Sequence, residues 1–139
     1  MRQTIHHLRV HARSRGLFEF TQEVRAFVRE SGIGTGLLTL FCRHTSASLL
    51  IQENADSSVR RDLERYFDEI APEDPQRYEH DTEGPDDMPA HLRTALTQTQ
   101  LSIPVEYGGP LLGTWQGIYL FEHRRHASTR EVVLHLIGE

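Results

Sequence analysis

The chain has 139 residues, of which 37% are hydrophobic and 25% charged, and a formal net charge of −5 that counts its nine histidines as neutral. That length fits a single domain, residues 1–139, with a real core, and the acidic balance argues against general nucleic-acid binding, which needs a basic surface. All 15 cationic side chains are arginine, which excludes Schiff-base chemistry through lysine and leaves arginine as the only fork for phosphate.

The first strand is expected over residues 3–11, at a sheet edge, because Leu8 and Val10 alternate with polar neighbours. Arg13–Gly16 reads as a turn and Leu17–Phe20 as a short extended piece. Thr21 is expected to cap a helix over residues 22–30 with Val24, Phe27 and Val28 as its apolar stripe. Ser31-Gly32-Ile33-Gly34 ends it, with glycine where a left-handed C-cap belongs. Thr35–Arg43 is the clearest strand, apolar on both faces and therefore expected at the centre of a sheet, and Ser46–Gln52 is another. Asn54 or Asp56 caps a helix to Ile70 whose buried stripe is Val59, Leu63, Phe67 and Ile70.

Residues 71–87 hold three prolines, one glycine and seven acids, a long loop of the kind that is usually functional or mobile. Met88–Gln98 is the next expected helix, with Pro89 in its first turn and Met88, Leu92 and Leu96 as its stripe. Leu101–Glu106, Trp115–Glu122 and Thr129–Ile137 are the last strands, the final two forming a C-terminal hairpin. Strands and helices without strict alternation point to an α+β fold. The lone Cys42 cannot close an internal disulfide and reads as a small buried hydrophobe. No run has the length of a membrane span, and residues 1–7 lack a signal-peptide core, so a cytoplasmic protein is expected.

Residues Phe41–Asp56 carry more polar chemistry than strands need. His44, at a strand end before Thr45-Ser46, can serve as acid, base, metal ligand or anion donor, or can be a histidine satisfied by a nearby carbonyl. Glu53 can be brought to the same neighbourhood by the next strand. His80 and His91, with Asp81, Glu83 and Asp87 close in sequence, match the dispersed ligands of many zinc sites, although there is no HExxH motif and no cysteine pair. The other reading of His91 is a helix-surface histidine. His123-Arg124-Arg125-His126 can grip phosphate or can be a solvated tip. His6, His7 and His135 read as structural. Gly32–Gly36 precedes a strand instead of opening a helix, so it is no dinucleotide fingerprint.

Taken together, these segments resemble the YjbQ family, also called UPF0047. The resemblance runs through His44-Thr45-Ser46, Glu53-Asn54-Ala55-Asp56 with Asp62, Tyr78-Glu79-His80-Asp81 and Asp87-Met88-Pro89-Ala90-His91. It continues through Ile103-Pro104-Val105, Leu112–Leu120 with Glu122, and Gly138-Glu139. Asp87 stands where the family commonly has Asn, Thr99-Gln100-Leu101 replaces a glycine and serine, and an arginine pair aligns loosely with Arg125 and Arg130.

The resemblance implies an α+β fold on a mixed β-sheet with helices mainly on one side, assembled as a homotrimer. It also implies an activity like that of secondary thiamine-phosphate synthase, which joins a pyrimidine diphosphate to a thiazole phosphate and releases pyrophosphate. On that reading His44, His80 and His91 form one shared site holding a divalent metal, Zn or Mg, near a subunit boundary. Glu53 and Asp81 orient the histidines or hold the metal, and Arg43, Arg124 and Arg125 neutralise phosphate. The alternatives are a metal-dependent hydrolase using the same residues to activate water, and a non-catalytic trimeric protein that binds a metal or metabolite.

Overall fold

In the computed structural model, which describes all 139 residues, period-2 alternation decides the layers. Strand β3 (Gly36–Cys42) buries Leu38, Leu40 and Cys42 and turns Leu37 and Phe41 outward. It is central, as its composition suggests, and lies between β8 (Ser128–Gly138) and β5 (Gln100–Glu106). β1 (Arg2–Ala12) pairs only with β8 and closes one edge; β6 (Gly109–Pro110) closes the other, giving a five-stranded sheet ordered β1-β8-β3-β5-β6. Gly36 and Gly138 face each other in register, and a Cβ on either would collide with the partner strand's backbone.

The second sheet has three strands, β2 (Gly16–Glu19), β7 (Gln116–Glu122) and β4 (Ala47–Glu53), in the order β2-β7-β4. Every pairing in both sheets is antiparallel, so two antiparallel sheets replace the expected mixed one. The expected β7–β8 hairpin is likewise absent: β7 pairs with β2 and β4, whereas β8 pairs with β1 and β3. Both strands contribute to one core, through Ile118 and Leu120 from β7 and Val132, Leu134 and Leu136 from β8, so the chain crosses from one sheet to the other between them. Truncating a fully buried leucine here, such as Leu38 or Leu40, costs about 2–5 kcal/mol.

Helix α1 (Thr21–Ser31) contributes Val24 and Val28 to this core and ends at Gly32, whose φ of 73° is the expected left-handed cap. Thr21 is not its N-cap. It lies inside the helix, where its hydroxyl donates to Glu19 and accepts from the Ile118 N–H. Helix α2 (Ser57–Ile70) is capped as expected by Asp56, whose carboxylate accepts from the Ser58 N–H. Of its expected stripe only Phe67 is buried; its ring meets Phe121 edge-on at 5.4 Å, which seats α2 on the outer face of the three-stranded sheet.

The loop after α2 is ordered by its own side chains, with a short 3-10 turn at Pro75–Arg77 and a bond from the Tyr78 hydroxyl to the Pro72 carbonyl. Helix α3 (Asp87–Leu96) buries Asp87, Pro89, Ala90 and Arg93, while Leu96 is 63% exposed. The apolar stripe expected there is therefore wrong. Arg93 is held inside by Asp68 and the Ala71 carbonyl, and these bonds offset the desolvation that periodicity alone does not foresee. At the end of α3, the Gln98 and Thr99 carbonyls accept from the N–H groups of Leu49 and Cys42, tying the helix exit to both sheets. No helix is long and apolar enough to cross a membrane.

Candidate functional site

Asp87 and His91 are four residues apart in α3 and so share one helix face. The preceding loop returns His80 and Glu83 to that face. His80 Nε2 lies 2.6 Å from Asp87 Oδ2 and 2.9 Å from Glu83 Oε2, and His91 Nε2 lies 3.1 Å from Asp87 Oδ2. The four ligand atoms, one from each residue, all lie within 4.8 Å of one another. Two imidazole nitrogens and two carboxylates form a donor set suited to Zn²⁺.

The far side of His91 fixes its tautomer. Nδ1 is 2.9 Å from the Thr45 carbonyl oxygen, which can only accept, so Nδ1 carries the proton. In the neutral ring Nε2 then presents a lone pair to the Asp87 carboxylate. Two lone pairs face each other there unless a proton or a metal cation lies between them. A histidine anchored through its second nitrogen to a backbone carbonyl is the common support of a metal ligand.

Arg124, in the β7–β8 connection, braces the group from behind. Its Nε donates to Asp86 Oδ2 at 3.0 Å, its NH1 to Asp87 Oδ1 at 2.6 Å and its NH2 to the Glu83 carbonyl at 2.9 Å. Burial alone would raise Asp87, but His80, His91 and Arg124 together hold it below the usual carboxylate range. His80 is held above its ordinary value, chiefly by its bond to Asp87. Asp81 does not join the four. Together with Pro75, Tyr78, His80 and Met88 it lines an adjoining cavity of about 320 Å³.

His44 stands apart from this group. Its Nε2 accepts from the Glu131 N–H at 2.8 Å, and its Nδ1 is 3.5 Å from Arg130 NH1. Burial, then the Arg130 charge, lowers its affinity for a proton. The expected three-histidine site is thus a group of two histidines and two carboxylates, and His44 reaches it only through the backbone of Thr45. Beneath His44, Arg130 grips the fully buried Glu122 with two bonds, Nε to Oε1 at 2.7 Å and NH2 to Oε2 at 2.6 Å. The Glu122 carboxylate also accepts from the Ser128 hydroxyl and from the N–H groups of His123 and Arg124.

The remaining expected residues are spread over the surface. Glu53 accepts from the Asp56 N–H at the start of α2 and has no contact with the four. Each of the expected phosphate arginines has an acidic partner: Arg43 pairs with Glu131, Arg124 with Asp86 and Asp87, and Arg125 with Glu73. His6 stacks on Phe27, His7 meets Glu131 and His135 meets Gln3, the structural roles expected of them. Of the three acids the sequence places beside His80 and His91, Glu83 and Asp87 complete the group and Asp81 does not. Starting α3 one residue earlier would have put Asp87 on the same face as His91.

The sequence model of UPF0047 YjbQ-like proteins matches residues 6–139. The UPF0047 protein sll1880 of Synechocystis sp. is 54% identical over 125 residues, 90% of this chain and 85% of the relative. The UPF0047 protein YjbQ of Escherichia coli O157:H7 is 44% identical over 133 residues, 95% and 96% of the two chains. A crystal structure of an uncharacterized yjbq/upf0047 protein from Clostridium acetobutylicum superposes with a TM-score of 0.84 at 34% identity, covering 96% of this chain and 99% of the other. A YbjQ-like protein of unknown function from Sulfolobus solfataricus P2 shares the fold, with a TM-score of 0.87 at 22% identity over 99% and 100% of the chains.

Proposed function

The chain belongs to the UPF0047 family of YjbQ-like proteins, and we propose that it is a divalent-metal-dependent enzyme acting on a small phosphorylated molecule. His80, Glu83, Asp87 and His91 are the residues that would hold the metal. The observation that carries this reading is the His91–Thr45 bond, which places the ring proton on Nδ1 and turns Nε2 toward the Asp87 carboxylate. A bound divalent ion supplies either charge stabilisation for a departing diphosphate or acidity for a coordinated water.

The chain's own residues have distinct tasks in this scheme. Arg124 keeps Asp87 ionised and fixed. Thr45 orients His91. Tyr78, Asp81 and Met88 form the wall against which an organic group would lie. In the transferase reading, resembling secondary thiamine-phosphate synthase, the thiazole nitrogen bonds to the pyrimidine methylene carbon as the carbon–oxygen bond to diphosphate breaks. The carboxylate-rich site suits a diphosphate that arrives with its own cation. The hydrolase reading would use the same four residues to hold an ion that acidifies a coordinated water, and the 61% exposed side chain of Glu83 leaves the group open to solvent on that side.

The family resemblance also carries a homotrimer into this reading. It is supported by Ile5, Leu37, Phe41 and Ile137, between 38% and 57% exposed on the outer face of the five-stranded sheet.

The test is an assay of purified, metal-restored protein for thiamine phosphate formation and, separately, for phosphate or pyrophosphate release from phosphorylated small molecules. Activity that needs metal and is lost in Glu83→Gln but kept in His44→Ala supports the reading. Activity indifferent to chelation, or none on either class of substrate, overturns it.

A further inference from the structure

Beside the β7–β8 connection, three arginines from separate parts of the chain converge. Arg15 comes from the β1–β2 turn, Arg93 from α3 and Arg125 from the connection itself. Together with Asp68, Pro72 and Glu73 they line a cavity of about 240 Å³. That is room for a tetrahedral oxyanion and several waters, at about 30 Å³ per water.

The acids are shared between the arginines. Asp68 is shared between Arg15 and Arg93, and Glu73 is shared between Arg15 and Arg125. Three guanidinium groups share these two carboxylates directly, with Glu64 close enough to act on Arg15 and Arg93 as a third charge. The donors are in excess. The Nε atoms of both Arg15 and Arg93 are buried without a partner, and Arg93 is only 2% exposed. Its one carboxylate partner, Asp68, keeps a side chain that is 60% exposed. Taking a guanidinium out of water is costly unless its charge and donors are met; Asp68 and the Ala71 carbonyl meet the outer nitrogen of Arg93, and its Nε stays unmet.

From this we propose that Arg15, Arg93 and Arg125 form a phosphate-binding site, separate from the group on α3. A phosphate group offers oxygens in several directions, which suits arginine forks arriving from three elements. Arg125 is the accessible member, with a side chain 66% exposed at the cavity mouth. Neighbouring residues divide the labour: Arg124 turns to Asp86 and Asp87, whereas the Arg125 side chain turns to Glu73, with only its N–H left on Asp86. The site uses none of the four candidate metal-holding residues, so it stands whether or not those residues bind an ion.

Calorimetric titration of chelator-treated protein with sodium phosphate, against a sodium chloride control at matched ionic strength, tests this directly. Saturable binding to the wild-type chain is expected. It should weaken by about tenfold in Arg125→Gln, equivalent to about 1.4 kcal/mol, while the circular dichroism and melting temperature of that variant stay close to wild type. A second titration with glycerol phosphate separates the two sources: tighter binding than inorganic phosphate points to a phosphorylated metabolite, and equal or weaker binding points to the free ion. No saturable binding to the wild type, or binding unchanged in a folded Arg125→Gln, overturns the proposal.

Discussion

His91 donates its Nδ1–H to the Thr45 carbonyl oxygen at 2.9 Å, and this bond decides which nitrogen faces Asp87. Thr45 follows His44 in the connection between the strand of one sheet and the strand of the other. The link between the sheets therefore orients a helix histidine, and β3, β4 and α3 meet in one site although His44 itself turns away.

Asp87 is the residue on which most of the group depends. It is 3% exposed and pairs with His80, His91 and Arg124 at once. Asp87→Ala would leave Arg124 and the two histidines without their shared anion, and a loss of about 3–5 kcal/mol is expected in chemical denaturation of metal-free protein. Asp87→Asn, which keeps the shape and one acceptor oxygen, should cost less. Equal losses for the two would show that the charge of Asp87 does not matter.

In metal-free protein the His80–Asp87 pair has a defined pH window. His80 is held above its ordinary value, so its share of the stability is complete below that value and fades as pH rises through the folded one. Asp87 is held low, so its share is present above the ordinary carboxylate range and is lost as pH falls through its folded value. Zinc must displace the His80 proton, so zinc affinity should rise with pH up to the elevated His80 value and then level off. Competition titrations over a pH series check this, and an affinity flat across the neutral range would contradict it.

Glu122 and Arg130 form the buried ion pair beneath His44. Burial would raise Glu122, but Arg130 and the Ser128 hydroxyl outweigh it and keep the carboxylate ionised. Glu122→Gln leaves Arg130 short of an anion and should destabilise the fold by about 3–5 kcal/mol. It should also disturb the His44 ring resonances in NMR spectra, because Arg130 lies against that ring. A stable variant with unmoved His44 signals would separate the pair from the histidine.

His123 is 1% exposed and its proton affinity is pushed down to about 3, first by burial and then by the Arg93 charge. Its Nε2 lies 2.9 Å from Ser48 Oγ, and its Nδ1 has no partner. The unfolded chain takes up a proton near the ordinary histidine value of about 6.5, whereas the folded chain does not until about 3. Stability should therefore fall as pH drops through that interval, by at most about 1.4 kcal/mol per pH unit. Denaturant midpoints for wild type and His123→Gln across the interval measure it: the variant should show a flatter acid limb, and parallel limbs would contradict the assignment.

Local signals were legible in the sequence where one residue settles the geometry. Gly32 and Asp56 cap the helices they were expected to cap, and β3 is central. The strand pairing was not legible. Sequence proximity favours a β7–β8 hairpin, but both strands own residues of the same core and so belong to facing sheets. Helix α3 misled for another reason: counting apolar residues selects Leu92 and Leu96, whereas Asp87 and Arg93 are buried by ion pairs that no periodicity shows. The site was half legible. His80 and His91 were expected to meet, and they do. His44 was expected with them because its neighbours match the family, yet its ring is taken by Glu131 and Arg130 and only Thr45 makes the connection.

The most direct measurement is zinc content after equilibration with zinc and exhaustive dialysis, for wild type, His44→Ala, His80→Ala and His91→Ala. About one ion per chain is expected in wild type, as in a single mononuclear site, with comparable content in His44→Ala and near-complete loss in each of the other two. A wild type without zinc, or His80→Ala and His91→Ala variants that keep it, would contradict a metal site built on α3.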